Sequence, residues 1–217
     1  MDNDNDLSFG LSDEEPISAQ KVLKTLEEVW LNEKLSPELL KHQTEVVDCM
    51  LDQVQQMEEN VSKLRKNDFR VVVHRMELER IRYIVASYLR TRLDKIEMFT
   101  NKILDDEDKR EPEEKYLSPK EFKFAREYSS LMESHLQALA LKHMPTYVQK
   151  FDKSKMSIVP NISSHVFLRA KRNITGIIIE GDNETGDEEI DLEENSQHII
   201  QYKCIDRYLK AETVQLI

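Results

Sequence analysis

From Phe69 to about Leu104 the chain reads FRVVVHRMELERIRYIVASYLRTRLDKIEMFTNKIL, with no glycine or proline and with apolar residues recurring every three or four positions. On a wheel of about 100° per residue, Leu78, Ile81, Ile84, Val85, Tyr88, Leu89, Ile96, Phe99 and Ile103 share one side, which predicts one amphipathic helix. At about 1.5 Å per residue it is on the order of 50 Å long, more than a small domain needs to cover its own core. His74, Glu77, Arg92 and Lys95 intrude on the apolar side and must be paired there, because an unpaired buried charge is strongly unfavourable. Tyr83, Ala86 and Ser87 fall on the far side among Glu79, Arg90, Asp94 and Glu97, where small residues beside an aromatic let a second helix approach.

Upstream, Ser18 is placed to cap a helix running to about Asn32, with Val22, Leu23, Leu26, Val29 and Trp30 on one stripe. Ser36-Pro37-Glu38 predicts a short restarted helix. From Thr44 to Leu64 the residues Val46, Val47, Met50, Leu51, Val54, Met57, Val61 and Leu64 form another stripe, and Asn67-Asp68 separates it from the long helix. An antiparallel helical hairpin follows from this arrangement. Beyond an acidic connection at 105–116, Ser118, Pro119 and Glu121 form a capping-box signature for a helix to about His143, burying Phe122, Ala125, Tyr128, Met132, Leu136, Leu139 and Ala140. Met144-Pro145 stops it.

After Pro145 the period changes. Residues 165–172 and 174–180 are strand-like, as are Glu189–Leu192, His198–Cys204 and Val214–Ile217, with a helical turn expected at Arg207–Lys210. The expected fold class is mainly α with a small C-terminal β-rich module. The expected domains are an acidic tail over 1–17, a helical A domain over 18–145, a linker over 146–164 and a β-rich B domain over 165–217.

Composition changes this picture in one respect. The 217-residue chain is 39% hydrophobic and 34% charged with a net charge of −11, but the acid is concentrated in three segments. Residues 1–17 hold six acids and no base, 105–114 hold seven acids against Lys109 and Arg110, and 180–194 hold nine acids and no base. What remains is mildly basic. Within the tail, Leu7, Phe9 and Leu11 are isolated apolar points that form a candidate docking motif, and Ser12 before Asp13-Glu14-Glu15 is a candidate phosphosite.

Candidate chemistry is sparse. Cys49 and Cys204 suit neither a disulfide framework nor a zinc site and point to a reducing compartment, and neither a secretion signal nor a membrane-spanning run is apparent. The sequons at Asn60, Asn161, Asn173 and Asn183 are then incidental. The four glycines lie in no phosphate-binding loop, no histidine follows a glutamate by three residues, and no hydrolase or metalloprotease motif occurs. The expectation is a protein without catalytic activity, cofactor or metal. Arg80, Arg82, Arg90, Arg92 and Lys95 spread around the long helix among acids, which argues against direct sequence-specific DNA reading.

Several segments together, MELERIRYIVASYLRTRLDKIE (76–97), LSPKEFKFAREY (117–128), LKHMP (141–145), WLNEKLSPELL (30–40), VFLRAKR (166–172) and the terminal VQLI, closely resemble the SLD-five family of subunits of the eukaryotic GINS complex. The resemblance implies a non-catalytic structural subunit of a heterotetramer with three sister subunits. That complex joins the MCM ring and a RecJ-like scaffold protein in the replicative DNA helicase, in the nucleus at replication forks, and offers docking sites to polymerases or a replisome hub. Under this reading Tyr83, Ala86, Ser87 and Arg90, or the intrusive Arg92 and Lys95, contact a sister subunit. Leu141, His143, Met144 and Pro145 position the B domain, and Leu7, Phe9 and Leu11 dock the hub. The alternative is a stand-alone helical DNA-binding accessory or adaptor protein.

Overall fold

The computed structural model describes residues 19–64, 68–146, 149, 157–179 and 188–217. Helices α1 (Ala19–Leu35), α2 (Thr44–Lys63), α3 (Phe69–Glu107) and α4 (Pro119–Leu139) precede strands β1 (His165–Ala170), β2 (Ile174–Ile179), β3 (Glu188–Leu192) and β4 (Gln197–Gln201), helix α5 (Tyr202–Lys210) and strand β5 (Val214–Leu216). The described residues pack as two compact units, one drawn from 19–31 and 43–89, the other from 32–42 and 90–217.

The first unit is a three-helix arrangement. Glu58 of α2 pairs with Arg82 of α3, and the Gln43 amide at the start of α2 donates to the Tyr88 hydroxyl at 3.3 Å, so α2 runs antiparallel to α3. Glu27 pairs with Arg80 and Trp30 Nε1 donates to Ser87 Oγ at 2.9 Å, so α1 runs parallel to α3. Leu26, Met50, Val54, Leu78, Ile84 and Tyr88 form its core. The expected stripes hold except at Leu51 and Leu89, which are exposed. Trp30 is half-buried with its ring edge-on to Tyr83.

In the second unit, Ile96, Phe99 and Ile103 of α3 pack with Leu39, Leu117 and Ala125. Helix α3 bends at Phe99 (φ −112, ψ 21), where the Thr100 hydroxyl lies on the carbonyls of Ile96 and Glu97 and competes with the backbone ladder. The capping box of α4 forms as expected: Glu121 N donates to Ser118 Oγ and Ser118 N donates to Glu121 Oε2. The helix then stops at Leu139 rather than His143, and Leu141–His143 form a 3-10 turn. Its apolar stripe is buried only at the start, with Met132 and Leu139 exposed.

Two further expectations are corrected. Helix α1 continues to Leu35, and no helix restarts at Ser36-Pro37-Glu38. The carbonyls of that segment are taken by side chains from α3 instead of by later amides, as described below. The strand expected over His198–Cys204 ends at Gln201, because Tyr202, Ile205 and Leu209 follow helical spacing and bury one face of α5.

The C-terminal module has an antiparallel sheet in the order β4-β1-β5 and a β2-β3 ladder. Leu168, Ile177, Tyr202, Ile205, Val214 and Leu216 meet in its core. The β2-β3 ladder shifts register between Ile174 and Ile177, where Gly176 adopts φ +76 and its amide donates to Asp191 Oδ1 at 2.9 Å. A side chain there is strained by the positive φ.

Leu26 is fully buried in the first core. Leu26→Ala should lower stability by about 2–5 kcal/mol, measured as a shift in the urea midpoint of the free chain.

Candidate interaction surfaces and the buried ion network

The intrusive cations of α3 turn inward. Arg92 is 1% exposed, and each part of its guanidinium meets an acceptor. Nε donates to Glu121 Oε1 at 2.7 Å, Nη2 to Glu121 Oε2 at 3.1 Å and to the Tyr116 carbonyl at 3.0 Å, and Nη1 to Glu33 Oε2 at 3.0 Å and to the Leu40 carbonyl at 2.8 Å. Lys95 Nζ, one turn on, reaches Glu33 Oε1, Ser36 Oγ and the Glu38 carbonyl, each at 2.8 Å, and the Glu33 carbonyl. Two cations thus face two carboxylates, and the residues after α1 are held by side-chain donors. This is why Ser36 caps no helix: its hydroxyl accepts from Lys95 and donates to the Glu38 carbonyl at 2.9 Å.

Burial pushes the Lys95 ammonium below its ordinary value, outweighing the Glu33 carboxylate that raises it. Burial likewise pushes the Glu121 carboxyl up, but the hydrogen bonds and charge of Arg92, with the Ser118 amide, together hold it below the ordinary range.

The same 32–42 segment carries the C-terminal module. Tyr202 donates its hydroxyl to Glu38 Oε1 at 3.0 Å, Lys210 Nζ lies 3.3 Å from that oxygen, and the Leu216 amide donates to Asn32 Oδ1 at 2.9 Å. Leu40 packs against the module's core. Burial raises the Glu38 carboxyl, which Lys210 opposes and the neighbouring Asp206 reinforces.

The expected partner residues therefore divide. Tyr83, Ala86 and Arg90 are exposed on α3. Ser87 is half-buried and occupied by Trp30. Arg92 and Lys95 are corrected: their donors are committed inside the unit, which removes them from a partner surface. Leu141 is buried, while His143, Met144 and Pro145 are exposed. Leu7, Phe9, Leu11 and Ser12 lie outside the described residues.

Sequence reasoning missed a row at the start of α3, where Phe69 is 77%, Val72 52% and Met76 69% exposed, with Val73 beside them and Tyr83 two turns on. The signal was FRVVVHRM, which is apolar on two sides where an amphipathic helix is apolar on one. Leu131 and Leu139 on α4 are likewise open. Among the described residues no cluster of His, Cys, Asp or Glu could hold a metal, and no helix is long and apolar enough to cross a membrane.

Helices with apolar faces left to solvent, followed by a small β module, define a helical assembly protein. A sequence model of the GINS complex protein helical bundle domain matches residues 43–140, and one of the DNA replication complex GINS protein SLD5 C-terminus matches 160–217. The chain is 45% identical to "DNA replication complex GINS protein SLD5" of Rattus norvegicus over 95% of its length and 93% of the relative's. It is 44% identical to the Homo sapiens protein of that name (97% and 95% covered) and 27% identical to that of Arabidopsis thaliana (98% and 99%). The chain belongs to the SLD5 family of GINS proteins.

Glu33→Gln leaves two buried cations sharing one full carboxylate and should cost about 3–5 kcal/mol, whereas Ser118→Ala, which removes one cap, should cost about 1 kcal/mol, both by urea unfolding at neutral pH. Because the folded Glu121 carboxyl lies below its ordinary value of 4.5, the stability it contributes is present above that value and is lost as pH falls through the lowered one. Glu121→Gln should therefore flatten this part of the acid limb in a urea series from pH 7 to pH 3.

Proposed function

We propose that this chain is a non-catalytic scaffolding subunit of the GINS heterotetramer, with three sister subunits as its immediate partners. The tetramer in turn joins the MCM ring and a RecJ-like scaffold protein in the replicative DNA helicase, in the nucleus at replication forks. In this reading residues 18–145 act as the helical A domain, 146–164 as linker and 165–217 as the B domain. Relatives named as replication complex GINS proteins, aligned over nearly the whole chain, support the assignment.

The observation that carries the scaffolding role is the outward row of Phe69, Val72 and Met76 on a helix whose opposite side is already buried. A soluble chain seldom leaves such a row open unless another chain covers it. Tyr83, Ala86 and Arg90 extend along the outward side of the same helix as further partner candidates, and His143, Met144 and Pro145 offer a second surface.

The stand-alone DNA-binding reading finds less support. Arg80 pairs with Glu27 and Glu77, and Arg82 with Glu58 and Glu79, so these arginines are already neutralised and offer little to a phosphate backbone.

Co-expression with the three sister subunits tests the proposal. The unaltered chain should elute as a stoichiometric four-subunit complex by mass-resolved size exclusion. Met76→Glu and Phe69→Glu should each deplete that complex at least tenfold while leaving the helical circular dichroism of the free chain intact, and Arg90→Glu should weaken it. Full recovery of tetramer from both glutamate variants would overturn the role given to this row.

A further inference from the structure

We infer that the outer edge of β4 and the apolar pair beside it dock an extended segment of another protein, one that adds a strand to the sheet. The segment carries an acidic, an apolar and a second acidic residue at alternate positions. This goes beyond the assembly reading, because it concerns the β module and makes no use of the row on α3.

The backbone offers the first observation. In the order β4-β1-β5 the outer strands are β4 and β5. The β5 edge is in use, since the Leu216 amide donates to Asn32 Oδ1, whereas β4 pairs only with β1 among the described residues. The Tyr202 amide donates to the Ser164 carbonyl at 2.9 Å, and the Ala170 amide to the Ser196 carbonyl at 3.1 Å. With the unshifted register between them, these bonds assign the even-numbered residues of β4 to β1. The amides and carbonyls of Gln197, Ile199 and Gln201 therefore point to the open edge. Natural edges are commonly blunted by lysine, proline or a bulge, and Gln-His-Ile-Ile-Gln has none of these.

The second observation is the outer face. Alternation buries Val166, Leu168 and Ala170 on one side of β1, which in a one-sided sheet leaves polar residues on the other. Phe167 is instead 43% exposed, and its cross-strand partner Ile199 is 66% exposed. Their pair has no ladder hydrogen bonds between its members, the geometry in which side chains lie closest. Ile199 stands on the edge itself, so an added strand with an apolar residue there removes both side chains from water.

The third observation is charge. His165 and Arg169 are exposed on either side of Phe167 on the same face. Their cross-strand partners are Gln201, Gln197 and Gln215, so no acidic side chain of the three strands shares that face, and among the described residues Arg169 makes no ion pair. Strands lie about 4.8 Å apart, which puts Arg169 about 10 Å from a strand added beside β4. Arginine and glutamate side chains reaching toward each other close that gap. Because a cationic residue lies on each side of the apolar pair, an acid on each side of the guest's apolar residue fits in either strand direction.

The test titrates the isotopically labelled full chain with a short capped peptide in which threonine alternates with glutamate, isoleucine and glutamate. Saturable shifts of the Gln197, Ile199 and Gln201 amides are expected, with a Kd of about 1 mM or tighter. At saturation the exchange of the Ile199 amide with solvent should slow about fivefold or more, while that of Ile200, already bonded to β1, is unchanged. Ile199→Asp should weaken binding about tenfold. Arg169→Glu should weaken it about fivefold and should favour a peptide with lysine in place of both glutamates. Both variants should keep the circular dichroism of the unaltered chain.

Absence of saturable binding up to about 5 mM peptide overturns the proposal, as does binding that leaves Ile199 exchange unslowed or that survives Ile199→Asp. Equal binding of the lysine peptide to the unaltered chain removes the acidic character given to the guest and overturns it too. A concentration-dependent dimer of the free chain that Ile199→Asp abolishes assigns the edge to a second copy instead. Each of these failures leaves the co-expression result, and the assembly reading, standing, because the row on α3 is unaltered throughout.

Discussion

The Arg92 guanidinium is the point on which the second unit closes. It sits on the same turn-and-a-half of α3 as Lys95, and between them they take up Glu33 at the end of α1, the carbonyls of Glu38 and Leu40, the Tyr116 carbonyl and Glu121 in the first turn of α4. Pieces far apart in sequence are thereby tied to one helix. Arginine suits the position for a geometric reason: its planar fork presents five N–H donors in fixed directions, and here four acceptor groups lie around its rim, two of them carboxylates that balance the charge. A lysine at 92 has fewer donors and cannot grip Glu121 with two parallel bonds. The network's worth lies less in net stability, since desolvation offsets much of the attraction, than in the single arrangement that satisfies it.

That arrangement has a downstream consequence. Beyond the end of α1 at Leu35 the chain closes no further helix before α2, because the Glu38 and Leu40 carbonyls are taken by Lys95 and Arg92. Asn32 in the last turn of α1, with Glu38 and Leu40 just beyond it, then receive the Leu216 amide, the Tyr202 hydroxyl and the module's apolar core. The position of the β module thus depends on charges in α3 that touch none of its strands.

The helical part of this fold was legible because its signals are local. Apolar spacing located α2 and α3, the Ser118-Pro119-Glu121 box located the start of α4, and alternation marked the strands. What stayed hidden depends on tertiary contacts. The wheel put Arg92 and Lys95 at core angles, but periodicity cannot say whether an inward charge meets its own fold or another chain. Glu121 read in sequence only as part of the α4 capping box, and no local signal marked Glu33 as a partner of Arg92. Ser36-Pro37-Glu38 has the local chemistry of a helix start, and a distant lysine overrides it. The end of β4 was missed for a different reason: Tyr202, Ile205 and Leu209 show a helical period only across about two turns, and the run is only nine residues long.

The open row on α3 and the sealed network on the same helix answer two different physical demands. Ionic contacts are directional and intolerant of displacement, so they suit a joint that must form once, inside the chain, in one geometry. Apolar contacts are non-directional and grow with area, so they suit a surface that must meet a separate partner after folding. Segregating the two along one helix lets the chain complete its own fold while its outward face remains unsatisfied. Had the charges been placed outward and the apolar row inward, the folded chain would have had little reason to associate. Under the proposed scaffolding reading, the distribution along α3, rather than any single residue, suits this chain to act as a component.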